Sequence, residues 1–179
     1  MDEVLSLIEE FREENTEALE DEDSSRKDQI VMDLQDLDST DPRVLPFFLE
    51  VLGDENEFDL ARIEILKFLE LREHRDNAQD EQTGQLVKRI LGADPDDDVR
   101  NYAALAAGNY LAVSGVVDEL ERILFNENED RNLRWNAFAA MKRMGPANES
   151  IKIMKKLAKA DEFRESASAL LSKWSTTSP

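Results

Sequence analysis

Apolar residues recur every three or four positions along most of the chain, which is the spacing of one face of an α-helix. Clear examples are the stripes over residues 4–11, 30–37 and 63–69. Short polar breaks separate the stripes, and Pro42, Pro95 and Pro146 stand at or beside a break rather than within a stripe. The alternation typical of a β-strand never extends beyond four residues. The pattern therefore predicts an all-α protein whose helices of about 10–18 residues are joined by short turns.

A longer period groups the predicted helices into pairs. One basic residue stands near the start of every second helix, at intervals of 35, 38, 34 and 30 residues: Lys27, Arg62, Arg100, Arg134 and Arg164. An apolar residue follows three positions after each base, and another follows seven positions after it. This repetition predicts five units of about 36 residues, each a helix pair. The predicted units cover residues 1–38, 41–75, 79–112, 114–145 and 147–176.

The third unit carries a sequence signature. Its stretch Leu91–Arg100, LGADPDDDVR, is followed by Ala103, Ala107 and Gly108, and this combination resembles the core signature of HEAT repeats. Residues 130–134 and 59–62 begin similar stretches, whereas the first and last units depart from the signature, as capping repeats do. The resemblance implies a right-handed α-solenoid of about five HEAT-like helix pairs, forming one domain over residues 1–179. It also implies that turn aspartates and second-helix arginines link neighbouring repeats, here Asp59, Asp98, Arg62, Arg100 and Arg134.

Charge is distributed unevenly along the chain. The 41 acidic and 22 basic residues give a formal charge of −19, but residues 1–60 alone carry −17 and residues 141–179 carry +4. This balance makes direct binding to nucleic acid an unfavourable function. Two interpretations of the acidic N-terminal third remain open: solubility through self-repulsion, or attraction of a basic partner. A disordered acidic tail is disfavoured because apolar residues recur regularly through residues 1–60.

The first twenty residues hold eight acids and one base, the reverse of a signal or transit peptide. No uncharged apolar run approaches the roughly 20 residues that a membrane span requires. We therefore expect a cytoplasmic protein that does not bind membranes. Four lysines do line one side of an apolar stripe near the C-terminus, at positions 152, 155, 156 and 159, and a solvated terminal face is their expected role.

The residue types that catalysis and metal binding require are scarce. The chain has no cysteine and one histidine, which excludes a disulfide framework, a thiol nucleophile and Cys-rich or His-rich metal sites. Asp94, Asp96 and Asp98 have the spacing of the first ligands of an EF-hand loop, but the glycine and glutamate that the loop also needs are missing. His74 ends a predicted helix, where the helix dipole explains it. We expect no metal, no cofactor and no enzymatic activity.

In the family that the signature resembles, the second helices of the pairs line the concave surface, where partners often bind. The candidate partner-binding residues are those of the second helices outside the apolar stripe: Asp28, Asp36, Glu64, Glu70, Asn101, Tyr102, Trp135 and Asn136. Trp135 is aromatic at a mostly polar position, so it is either a binding anchor or a packing residue between the fourth and fifth repeats. Trp174 is expected to close the C-terminal end of the core.

Three functions fit these observations. The preferred one is an inhibitor or immunity protein whose acidic surface neutralises a basic nuclease or another toxin, with salt-sensitive binding. The alternative is a general scaffold or adaptor whose acidity serves solubility and whose contacts centre on apolar residues such as Trp135. An accessory lyase or hydroxylase of HEAT type ranks last because no catalytic constellation is present. A basic protein is thus the expected partner, and a monomer is the expected state.

Overall fold

The computed structural model describes residues 2–14, 25–73 and 77–177, and this part of the chain forms ten α-helices and no β-strand. In chain order the helices are α1 (Glu3–Glu13), α2 (Arg26–Asp38), α3 (Val44–Gly53), α4 (Asp59–Leu71), α5 (Asn77–Ala93), α6 (Asp97–Ala107), α7 (Val116–Phe125), α8 (Arg131–Lys142), α9 (Asn148–Leu157) and α10 (Arg164–Thr177). The expected position of His74 at a helix end lies outside the described residues.

Consecutive helices pack in five pairs, α1 with α2 through to α9 with α10. The second helices α2, α4, α6 and α8 also pack side by side, and with α10 they form what we call the B layer. The first helices of the pairs form the A layer, in which α3, α5 and α7 are neighbours. The predicted all-α solenoid of about five helix pairs is therefore confirmed.

One hydrophobic core extends from Val4 in the first pair to Trp174 in the last. Aromatic rings fill its N-terminal part, where Phe11 and Phe47 meet edge to face with ring centroids 5.2 Å apart. In the third pair the core is lined by small side chains that let α6 pack closely against its neighbours: Ala103, Ala104, Ala106 and Ala107. Trp174 is buried at the C-terminal end of the core, which confirms the expectation for this residue.

The closely spaced aspartates before α6 have structural partners. Asp96 is the N-cap of α6, and its Oδ1 accepts a hydrogen bond from the Val99 N–H at 2.7 Å. Asp94 accepts the Asp96 N–H at 3.2 Å and forms an ion pair with Arg62. Asp98 is exposed in the first turn of α6. The arrangement is that of a helix-initiating turn.

Candidate protein-binding surface

A series of ion pairs joins each helix pair to the next and holds the B layer in register. The basic residue in the first turn of a B-layer helix reaches the loop before the next B-layer helix, where an acidic side chain binds it. The pairs are Lys27 Nζ–Glu57 Oε1 at 2.7 Å, Arg62–Asp94, Arg100 Nη1–Glu129 Oε1 at 2.9 Å and Arg134 Nη1–Glu162 Oε2 at 2.5 Å. Arg164 of the last pair instead binds Asp161 of its own loop.

These junction pairs are well removed from solvent. The side chains of Arg62 and Asp94 are 1% and 4% exposed, so the buried Asp94 carboxylate depends on Arg62 for its charge compensation. At the next junction, hydrogen bonding from the Arg100 guanidinium holds the pKa of the Glu129 carboxyl below its ordinary value. The inference that Arg62, Arg100 and Arg134 link neighbouring repeats as scaffold residues is therefore confirmed.

The acidic partners, however, are not the aspartates that the resemblance implied. Asp59 lies within α4, three residues before Arg62, and its Oδ1 is 3.7 Å from Nη1 of that arginine. Asp98 is exposed, and its side chain forms no hydrogen bond or ion pair with other described residues. An acid in the same helix as the arginine belongs to the same helix pair, so it does not link that pair to the next. The acids that bind a base of the preceding helix pair instead lie in the loop before the next B-layer helix, as Asp94 does.

The candidate residues Asn101, Tyr102 and Asn136 lie together at the centre of the B layer, and we call them the central patch. Asn136 Nδ2 donates a hydrogen bond to Asn101 Oδ1 at 3.0 Å, which joins α8 to α6. Lys67 Nζ lies 5.3 Å from the centroid of the Tyr102 ring, which joins α4 to α6. All three members are partly exposed. The B layer therefore presents amide and aromatic groups at its centre.

The two candidate acids of α2 differ in their surroundings. Asp28 belongs to the capping box that begins the helix, and its Oδ1 accepts the Ser25 N–H at 2.7 Å. Asp36 is exposed near the end of the helix, and its side chain has no hydrogen bond or ion pair with other described residues. Asp36 is thus available to a partner, whereas the Asp28 side chain is part of the N-terminal cap of α2.

The two candidate acids of α4 are each bound by a cation of the same chain. Glu64 Oε1 lies 2.6 Å from Lys67 Nζ one turn later. Glu70 forms an ion pair with Arg143, which follows α8 and reaches across α6. Both pairs reduce the charge that these carboxylates offer to a partner, so the B layer is less acidic than its sequence suggested.

Five helix pairs, joined through a basic residue in each of the first four second helices, match the pattern of a repeat family. The family model for HEAT repeats matches residues 83–172, half of the chain. The chain belongs to the HEAT-repeat family. Neither the comparison with curated proteins nor that with solved structures gave a significant match.

The described residues contain neither a membrane-spanning helix nor a cluster of metal ligands. No helix there combines the length and apolar character needed to cross a membrane. No cluster of three or more histidine or carboxylate side chains in the same part of the HEAT solenoid could hold a metal ion.

Trp135 packs at the junction between the fourth and fifth HEAT repeats. Its ring centroid lies 4.8 Å from that of Phe163, which precedes α10, and 5.7 Å from that of Phe138 on α8. The indole is half-buried against the core. Of the two roles left open by the sequence, the structure places Trp135 in inter-repeat packing, and only its remaining exposed edge is available to a partner.

Sequence reasoning missed Arg143, and it did not predict the structural role of Asn109; both residues tie the ends of the B-layer helices together. Asn109 Nδ2 donates to the carbonyl oxygens of Leu69 at 3.2 Å and Arg72 at 2.8 Å, and so satisfies the C-terminus of α4. A Cβ at Gly108 would lie 2.8 Å from Cδ of Arg143, so this arginine crosses α6 at a glycine. The glycine at an otherwise larger position of the repeat was the available signal.

Sequence reasoning also missed a groove between the C-terminal ends of α2 and α4, with a volume of about 390 Å³. Leu71, 80% exposed, lines it together with Phe68 and Arg72, and so adds apolar area to the surface of this HEAT solenoid. Asp41 lies in its wall, where hydrogen bonds from Arg43 lower the pKa of the Asp41 carboxyl to about 2. The Asp41 carboxylate is therefore ionised at neutral pH and is compensated by the Arg43 guanidinium, so the groove offers a partner mainly its apolar residues.

Proposed function

We propose that this HEAT-repeat protein is a non-enzymatic binding protein whose acidic N-terminal repeats engage a basic protein partner. One observation carries the proposal: all four basic residues within residues 1–60 are already in ion pairs. These pairs are Arg12 with Glu50, Arg26 with Glu10 and Asp33, Lys27 with Glu57, and Arg43 with Asp2 and Asp41. Within the described residues 2–14 and 25–60, the remaining carboxylates therefore outnumber the bases of the same segment.

The surplus carboxylates are accessible on the first two helix pairs. Exposed acids there include Glu3, Glu9, Glu13, Asp36, Asp54 and Glu55. A concentrated negative field accelerates encounter with a positively charged protein and makes the association salt-dependent. The groove at Leu71 supplies adjoining apolar area, which a complex needs in addition to charge.

The partner chemistry that complements this surface is that of a protein that itself binds nucleic acid, such as a basic nuclease. We propose that the protein acts in the cytoplasm as an inhibitor or immunity protein that neutralises such a nuclease or another basic toxin. Each copy would bind one partner molecule through the first two repeats and the adjoining B-layer surface.

A second candidate function is a scaffold or adaptor whose acidity serves only solubility. The specific observation in its favour is the central patch, where amide and aromatic groups replace charge. Glu64 and Glu70 are also compensated within the molecule. Binding centred on this patch would depend little on salt.

The test is capture of partners from a lysate of the source cell at low salt, elution with a salt gradient and identification by mass spectrometry. Affinity for the purified partner is then measured for two variants. We expect Glu9→Lys/Asp36→Lys to weaken binding by at least tenfold and to flatten its salt dependence, because two surface carboxylates become cations.

Asp118→Lys/Glu127→Lys, at two exposed acids of the fourth repeat, changes the net charge by the same amount; it is the matched control and should bind as the wild type does. If the partner instead stays bound at high salt, and Tyr102→Ala weakens binding while Glu9→Lys/Asp36→Lys does not, the adaptor function is correct. If no basic protein binds at low salt, the inhibitor function is excluded.

A further inference from the structure

The groove beside Leu71 continues into a second and larger one. The first lies between the C-terminal ends of α2 and α4, and the second, of about 600 Å³, lies between α3 and α5. Leu45 and Gln79 line both grooves, so the two meet there and form one continuous groove, which we call the edge groove. The edge groove therefore leads from the B layer to the A layer of the solenoid.

The edge groove holds the most accessible large apolar side chain of the described residues. Leu71, at the end of α4, is 80% exposed, whereas the next in order, Leu5, is 44% exposed. Phe68, Leu49 and Leu86 add partly buried apolar surface along the groove. An exposed leucine beside other apolar side chains in a groove is typical of a surface that a partner covers.

Amide side chains along the edge groove lack hydrogen-bond partners. Gln79 and Gln82 are exposed on its α5 wall, and their side chains form no hydrogen bond with other described residues. Gln35 lines its α2 wall, where Nε2 is shielded from solvent and donates to no acceptor of the described residues. A rotation that brings this Nε2 to an acceptor in the groove would therefore stabilise a complex.

These amides indicate the backbone conformation of the occupant. The main chain of an extended segment has free N–H and C=O groups that can bond to glutamine side chains, whereas the main-chain groups of a helix are bonded within it. An extended segment therefore complements the edge groove better than a helix does.

The charges at the Leu71 end of the edge groove favour a basic occupant. The bases that line this end are already in ion pairs, Lys67 with Glu64 and Arg72 with Asp80. Glu73 lines the same end, is exposed and has no ion pair with another described residue. Asp36 and Asp38, next in the chain to lining residues, are exposed and have no such ion pair either. A lysine or arginine of the occupant is complementary to these carboxylates.

We propose that the edge groove binds an extended segment of the basic partner, with an apolar side chain against Leu71 and a lysine or arginine against Glu73. This inference rests on the proposed function for the basic partner, and it adds which surface holds that partner and which kind of segment is held. The contact is short, so we expect a dissociation constant of about 10–100 μM for the segment as an isolated peptide.

The experiment is fluorescence polarisation of the full chain with a labelled peptide of about eight residues that alternates leucine with lysine. In an extended peptide this alternation places the leucines on one side and the lysines on the other. Two control peptides replace every leucine by serine or every lysine by glutamate. At near-physiological salt we expect both control peptides to bind at least tenfold more weakly than the leucine–lysine peptide, because each lacks one of the two contacts.

Two variants locate the bound peptide. Leu71→Ser removes the exposed apolar side chain, and Glu73→Lys reverses the free charge beside it, so each should weaken binding of the leucine–lysine peptide at least fivefold. Phe125→Ser and Glu127→Lys, an exposed apolar residue and an exposed acid of the fourth repeat, are the matched controls and should bind as the wild type does. Circular dichroism melts check that every variant is folded.

A direct readout of the groove is the side-chain amide of Gln35. In nitrogen-edited NMR spectra its Nε2 signals should shift when the leucine–lysine peptide is added, because the amide gains an acceptor. The serine–lysine peptide should leave these signals in place. Unchanged Gln35 signals with saturating leucine–lysine peptide would contradict the proposal.

Three further results would overturn the proposal. The serine–lysine peptide binds as tightly as the leucine–lysine peptide, in which case charge alone explains binding. Leu71→Ser binds the leucine–lysine peptide as the wild type does. The wild type self-associates in sedimentation and Leu71→Ser abolishes this, in which case a second copy fills the edge groove.

Failure of the proposed function is a separate result. If no basic protein binds at low salt while the peptide results hold, the inhibitor function fails and the groove is still a site for basic apolar segments. If Glu9→Lys/Asp36→Lys weakens binding of the purified partner while Leu71→Ser and Glu73→Lys do not, the proposed function stands and the edge groove does not hold the partner.

Discussion

At the residue scale, the Arg62–Asp94 ion pair is the contact on which stability depends most directly. Both side chains are almost fully buried, and the Asp94 carboxylate has few other groups to compensate its charge. We expect Arg62→Met to lower the free energy of unfolding by about 3–5 kcal/mol, because it leaves a buried carboxylate without its cation. Urea unfolding followed by circular dichroism measures the change.

Two further variants separate lost charge compensation from lost packing. Arg62→Met/Asp94→Asn removes both charges and keeps an acceptor for the Asp96 N–H, so it should be clearly more stable than the single variant. Arg164→Met, at the exposed end of the series, should change stability by no more than about 0.5 kcal/mol. If the single and double variants lose the same free energy of unfolding, lost packing explains the loss and the ion pair does not stabilise the junction.

At the element scale, the packing of α5 against the segment between α6 and α7 depends on Gly84. A Cβ at this position would lie 2.6 Å from Cγ2 of Val113 and 3.0 Å from Cβ of Tyr110. Alanine in a helix gains about 1 kcal/mol over glycine, but forced overpacking typically costs about 1–3 kcal/mol. We expect Gly84→Ala to lower the midpoint of urea unfolding.

Gly53→Ala, at the last residue of α3, is the matched control. Its Cβ would meet no atom closer than 3.5 Å, so we expect its midpoint to stay unchanged or to rise slightly. A Gly84→Ala variant as stable as this control would mean that α5 can shift away from Val113 at little cost.

At the scale of the whole molecule, net charge opposes the compact state. A formal charge of −19 concentrated in the N-terminal third is self-repulsive, whereas the junction ion pairs are buried and little screened. Raising sodium chloride from about 10 mM to about 500 mM shortens the Debye length from about 30 Å to below 10 Å. We expect the melting temperature to rise by several degrees, since each kcal/mol is worth about 2–4 °C at this size.

Potassium chloride should give the same rise, because screening depends on ionic strength rather than on the identity of the cation. Thermal melts at several salt concentrations measure the effect. If the melting temperature falls with salt instead, exposed ion pairs such as Arg12–Glu50 stabilise the fold by more than the repulsion between like charges destabilises it.

Much of the fold could be predicted from the sequence because helix pairs are built from local signals. The apolar period predicts helices, and the bases at 27, 62, 100, 134 and 164 mark the second helix of each pair. The surface positions of Asn101, Tyr102 and Asn136 follow from the same period, because residues outside the apolar stripe of a helix face away from the core. These features need only neighbours along one helix.

The helical content, the pairing, the family and the uneven charge can thus be predicted from the order of the residues. Which charges remain available to a partner depends on the stacking of the helices. Glu70 meets Arg143 across 73 positions of chain, and Trp135 meets Phe163 at a repeat junction. Local spacing does not encode such contacts, since they depend on how stacked helices are offset. The acids that link the repeats are a further example. They lie in the loops before α4, α6, α8 and α10, and each binds a base of the preceding helix pair.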